Sequence, residues 1–125
     1  MKKDSTAYAN LPGENRDCSV RALAIATGRA YAECHTAFAA AGRLPNVGTT
    51  VAASRFVHEI LGLTYIETAK PWGYPTLSYF AETHPRGRFI LHSNGHAFAL
   101  VDGVVHDWSG GRGSRQRIKR AWEVK

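Results

Sequence analysis

Three side chains of this sequence have the types needed for nucleophilic chemistry: the thiol of Cys18, the imidazole of His96 and the carboxylate of Asp107. A thiol attacks a carbonyl as its thiolate, which forms at neutral pH beside an imidazolium or at a helix N-terminus. An acid behind the imidazole holds one ring nitrogen protonated and leaves the other for the thiol. Cys18 is well placed for this. From Ser19 onward the residues are short or apolar, with no Pro or Gly before Gly28, which predicts a helix stopped by a C-terminal glycine. Cys18 then lies in its first turn, where backbone N–H groups lack intrahelical partners and the helix dipole is positive. A thiolate and a developing oxyanion are both stabilised there.

The choice among six histidines follows from hairpin geometry. Asp102-Gly103 is a strong two-residue turn signal, which pairs Val101 with Val104, Leu100 with Val105, Ala99 with His106 and Phe98 with Asp107. Paired residues share a face and successive residues alternate. His96 therefore shares a face with Phe98 and has Asp107 as a diagonal neighbour, within reach of a carboxylate–imidazole bond. His106 points to the opposite face, although a one-residue bulge would invert this and promote it. The same register turns Ile90, Ala99 and Val101 toward helices or neighbouring structure.

The remaining elements must carry these two motifs. Residues up to Gly13 lack periodicity, Leu11-Pro12-Gly13 reads as a turn, and Asn15 or Asp17 can cap the first helix. A second helix is expected over Tyr31–Ala41, closed by Gly42, with Cys34 on its apolar stripe as a small buried hydrophobe and His35 on its surface or lining a groove. Thr49 or Thr50 caps a third helix ending near Leu61. Ala53, Phe56, Val57, Ile60 and Leu61 form its expected core face, with Arg55, His58 and Glu59 outward. Leu63–Thr68 reads as a strand. The irregular Lys70–Pro75 loop offers Trp72 and Tyr74 either to a substrate groove or to a core edge. Thr76 caps a short helix ended by Pro85. Strands follow at Arg88–His92, His96–Val101 and Val104–Trp108, then a Gly/Arg/Ser loop, and Ile118–Val124 as a final edge strand.

The 125 residues, 44% hydrophobic, fit a single domain spanning 1–125. No apolar run spans a bilayer and no export segment is visible, so no membrane is expected, the compartment is the cytoplasm and both cysteines are free thiols. The net charge of +6 is concentrated between Arg112 and Lys125, with six Lys/Arg against Glu123 alone. Arg112, Arg115 and Arg117 make this a solvated, mobile end or a contact for nucleic acid, an acidic protein or an acidic membrane surface. Nucleic acid is not favoured, because no recognised motif accompanies the charge. His92 and His96 are four apart but not on a helix, and no Cys/His set has zinc-finger spacing, so neither metal nor cofactor is expected.

At these residues the chain resembles the papain-like cysteine peptidase superfamily. Asp17-Cys18-Ser19-Val20-Arg21-Ala22-Leu23 is similar to the Asp-Cys-Gly-x-Ala-x-Leu helix start of bacteriocin-transporter leader peptidases, which have a His opening a strand and an Asp on the next, as at His96 and Asp107. Cys18 to Ala22 also resembles ovarian-tumour-type deubiquitinases, and Asp17-Cys18-Ser19 with His96 resembles NlpC-type cell-wall endopeptidases. Pro12 stands where the leader peptidases carry an oxyanion-hole Gln, and Ser19 replaces their Gly; Asn15 is at the offset that the deubiquitinases use. The resemblance implies an α+β papain-like fold, N-terminal helices carrying the Cys packed on a small antiparallel sheet carrying the His and Asp. It also implies hydrolysis of an amide in a peptide or protein substrate, with Cys18, His96 and Asp107 catalytic and Asn15 completing the oxyanion hole. The competing class is a catalytically silent scaffold that binds nucleic acid or an acidic partner through its basic C-terminal segment.

Overall fold

A computed structural model describes residues 2–4, 16–44, 48–107 and 113–125. It is α+β. Strand β1 (Lys2–Asp4) is followed by helices α1 (Cys18–Thr27), α2 (Tyr31–Ala40) and α3 (Val51–Ile60), strand β2 (Thr64–Ile66) and helix α4 (Leu77–Thr83). Strands β3 (Arg88–Ser93), β4 (His96–Val101), β5 (Val104–His106) and β6 (Arg120–Val124) complete a six-stranded sheet of order β1-β5-β4-β3-β6-β2. Every pairing is antiparallel except β1 with β5.

The hairpin at Asp102-Gly103 forms in the expected register. Val101 pairs with Val104, Leu100 with Val105 and Ala99 with His106, with no bulge. The turn holds Asp102 at φ 47° and Gly103 at φ 81°, the doubly left-handed geometry that matches strand twist. Alternation along β3 and β4 then divides the core. Ile90, Ala97 and Ala99 join Val20, Leu23, Phe38 and Trp122 on the face covered by α1 and α2. Leu91, Phe98 and Leu100 join Leu77, Phe80 and Ile118 on the other, under α4.

Helix α1 is buried on nearly every side, from Ser19 through Ala24 and at Ala26, because α2 covers what the sheet does not. Gly28 ends it at φ 72°, donating to the Ala24 carbonyl. Thr50 and Thr76 cap α3 and α4, their side chains accepting from the N–H groups of Ala53 and Tyr79. Among the described residues no helix is long and apolar enough to cross a membrane.

Four expectations are corrected. Strand β6 is not an edge: it lies between β3 and β2, and starts at Arg120, with Ile118 buried just before it. The first residues, read as lacking periodicity, include β1, an edge strand recruited by the open side of β5, and a three-residue strand is too short to show a pattern. The inward stripe of α3 is Ser54, Val57, His58 and Leu61, displaced on the helical wheel from the expected one. Phe56 and Ile60 are consequently 55% and 66% exposed, while His58 is buried at 1%, its ring against Phe38 and 4.4 Å from that of Trp122. A polar imidazole fills an aromatic niche, and Phe56, expected on the core face, turns outward. Finally, Asp17 occupies the N-cap position of α1 without capping it through its side chain.

Candidate active site

Two chain segments meet at one end of the sheet. Helix α1 begins at Cys18, β4 begins at His96, and α1 packs along β4. The first turn of α1 thereby lies over the first residues of β4, and the Cys18 sulfur receives hydrogen bonds from the His96 side chain and from the backbone N–H of Ala97. On the far side of the ring, His96 Nε2 is 2.7 Å from Asp107 Oδ1. That contact leaves Nδ1 as the ring nitrogen for Cys18. The Asp107 carboxylate, one residue past β5, has no exposed surface.

The electrostatics of this row favour charge separation. Burial by itself raises the Cys18 thiol, but the His96 hydrogen bond, the Ala97 N–H, the positive charge of His96 and the Ser19 hydroxyl outweigh it, and the net direction is downward. Burial likewise lowers His96, and is outweighed by its bonds to Asp107 and Cys18 and by their negative charge, so the imidazole is raised to about 9. Both shifts run toward a thiolate–imidazolium pair backed by a carboxylate. Cys34 shows the opposite environment: at 1% exposure in the core, burial and then the charge of Glu33 push its thiol up to about 11. It is inert packing, as its place on the α2 stripe suggested.

The residues around Cys18 fix its position. Arg16 takes φ 60°, a left-handed conformation unusual for a residue with a side chain, and its carbonyl accepts from the largely buried Arg43. Asp17, 3% exposed, receives Arg21 Nε on one oxygen at 2.9 Å and the Tyr31 hydroxyl on the other at 2.7 Å. The acid beside Cys18 therefore bolts the start of α1 to α2. Because it is engaged there, it does not cover the N–H groups of the first turn.

The other sequence-derived candidates are distributed differently. Asn15 and Arg112 lie outside the described residues. Trp72 and Tyr74 are 58% and 40% exposed on a tight turn closed by paired backbone bonds between Lys70 and Gly73. Trp72 packs edge-on against Tyr79 of α4, and the Tyr74 carbonyl accepts from Arg117 at 2.9 Å. These contacts run to α4 and the 117–119 segment, not to Cys18, His96 or Asp107. Arg115 is exposed, as is Arg117. His106 pairs with Ala99 on the face opposite His96.

The sequence reading missed the Ala97 N–H, which has no side-chain signature, and the role of Ser19, whose hydroxyl occupies a position treated only as a replaced glycine. Nor did it join Arg120, read as part of the basic C-terminal segment, to His92: the two form one rung with Ala97 across β4, β3 and β6, which required β6 to be placed beside β3. Among the described residues, no group of three His, Cys, Asp or Glu is placed to hold a metal ion. No family model, curated protein or solved structure matches this chain.

Proposed function

We propose that this chain is a papain-like cysteine hydrolase that cleaves an amide bond in a peptide or protein substrate. The reading is supported above all by the row Cys18–His96–Asp107, with the thiol lowered, the imidazole raised and a fully buried carboxylate 2.7 Å behind it. The papain-like assignment is supported by the order of its parts: the nucleophile opens a helix, the base opens a strand packed under that helix, and the acid ends the next strand.

In this mechanism the Cys18 thiolate attacks the carbonyl carbon, forming a C–S bond while the carbonyl oxygen takes the negative charge. The backbone N–H of Cys18, at the start of α1, stabilises that oxygen, and Asn15 is the second donor that the family resemblance implies. Collapse of the intermediate breaks the C–N bond, and His96 gives its Nδ1 proton to the departing amine. Neutral His96 then takes a proton from water as it attacks the thioester. Release of the acid product regenerates the pair. Asp107 keeps the ring oriented throughout and stabilises its protonated form. The alternative of a silent nucleic-acid-binding scaffold has less support, because Arg117 is engaged with the Tyr74 carbonyl and a silent scaffold needs no polarised thiol.

Alkylation by iodoacetamide, followed by mass spectrometry across pH, tests the reading. Fast labelling of Cys18 at pH 6, with Cys34 unlabelled in the native protein and at least a tenfold slower Cys18 rate in His96→Ala, is the expected result. A Cys18 rate that rises only near the ordinary thiol pKa of about 8.5, and that ignores His96, overturns it.

A further inference from the structure

The rung that begins at the nucleophile ends on a cation. Ala97 of β4, whose N–H reaches the Cys18 sulfur, pairs with His92 of β3, and His92 pairs with Arg120 of β6. Residues of one rung point to one face, and Ala97 is on the face covered by α1, so Arg120 projects toward the side of the sheet that carries Cys18. Two strand spacings separate Ala97 from Arg120, about 10 Å. An extended peptide advances about 3.3 Å per residue, so this is the reach of two or three residues from a scissile carbonyl.

Arg120 is held but not neutralised. Its Nε lies 3.5 Å from His92 Nδ1, and the terminal nitrogens of the guanidinium have no hydrogen-bond or ion-pair partner among the described residues. Among the described residues the ion pairs of Asp17, Glu33, Asp107 and Glu123 go to Arg21, Arg29, His96 and Lys125, and none goes to Arg120. The imidazole beneath it is neutral, since burial first, and then its neighbours His58, Arg120 and His96, hold His92 down to about 3. An always-charged fork, half-exposed and oriented by a neutral ring, is suited to bind a carboxylate in two-point fashion.

We propose that Arg120 forms a substrate subsite for a carboxylate, directing the cysteine hydrolase to peptides with an acidic group two or three residues from the bond cleaved. This rests on the proposed hydrolase reading and names the substrate class that the reading leaves open. The shared chemistry is the carboxylate itself, supplied by an Asp or Glu side chain or by a chain terminus.

The test uses N-bromoacetyl dipeptide amides ending in Glu, Gln or Lys, plus N-bromoacetyl-Gly-Gly with a free carboxyl, and iodoacetamide as reference. Cys18 alkylation is measured on the intact chain. The Glu probe is expected to react about tenfold faster than the Gln probe, the scale of one charge-assisted contact, and the Lys probe more slowly than either. The Glu/Gln rate ratio should fall to about one in Arg120→Gln and invert in Arg120→Glu. A free-carboxyl probe that outruns the Glu amide assigns the subsite to a chain terminus. Equal rates for the Glu, Gln and Lys probes, on a wild-type Cys18 that iodoacetamide labels rapidly at pH 6, overturn the subsite alone. Slow iodoacetamide labelling at pH 6 overturns the hydrolase reading and the subsite with it. The probe series on wild type decides the matter even if an Arg120 variant fails to fold.

Discussion

The buried histidines His58 and His92 predict how the fold responds to acid. His58 is 1% exposed between Phe38, Trp122 and His92, and burial holds its pKa down to about 4; His92 is held at about 3. Among the described residues no acid is hydrogen bonded to either ring; His92 meets Arg120 instead. Both are neutral in the fold at pH 5, whereas in the unfolded chain each titrates near 6.5. With the folded pKa below the unfolded one, the unfolded state binds more protons, so stability is intact above about pH 6.5 and is lost as pH falls toward 4. For His58 the loss between pH 7.5 and 5 is about 2 kcal/mol, since 1.5 pH units below the unfolded pKa correspond to about 1.36 kcal/mol each. Other titrating groups, the Cys18–His96 pair included, contribute to the total, so the informative quantity is a difference. Urea unfolding of wild type and His58→Leu should give stabilities that converge or cross by about 2 kcal/mol as pH falls from 7.5 to 5, with the variant the less acid-sensitive. Parallel pH curves for the two proteins would refute the reasoning, because they would mean that His58 takes up its proton as readily folded as unfolded.

Two further outcomes follow from the buried carboxylates. Asp107→Asn keeps a hydrogen-bonding shape behind His96 but removes the charge that raises the imidazole, so Cys18 alkylation at pH 6 should fall by about tenfold or more while circular dichroism stays native. An unchanged alkylation rate would remove Asp107 from the site. Asp17→Ala strips Arg21 and Tyr31 of a shared buried partner and should cost about 3 kcal/mol, a fall in Tm on the order of 10 °C by thermal melting. A shift within 2 °C would show that Asp17 does not tie α1 to α2.

Legibility in the sequence tracked the range of the interaction that decides each feature. The hairpin of β4 and β5 was readable because Asp102-Gly103 fixes a local register, and the register alone placed His96 beside Asp107. Helix α1 was readable from the absence of breakers and from Gly28. Sheet order was not readable, since nothing in Arg120–Val124 says that it pairs with both β3 and β2. The stripe of α3 failed for a related reason. His58 is buried because an aromatic niche built by three distant elements accepts its ring, and no property of α3 announces that niche.

The same distinction explains why residue type alone does not locate chemistry in this chain. His92 and His96 are four positions apart and flank one tight turn, yet one is driven down to about 3 and the other up to about 9. Both are buried enough for desolvation to be the leading influence, and it lowers each of them. What separates them is which face of the sheet they take. His92 faces the α1 side with Trp122 and a guanidinium, where burial and the neighbouring positive charge both lower it. His96 faces the other side, where Asp107 waits at the end of β5 and the sulfur of Cys18 reaches it over the strand's first residue. The two cysteines diverge in the same manner: at Cys18 an N–H, a hydroxyl and a cation outweigh burial, whereas at Cys34 burial and the charge of Glu33 outweigh the charge of Arg29 and the Thr27 hydroxyl. Burial supplies the energy scale of a perturbed group, and the partner brought by the fold sets its sign.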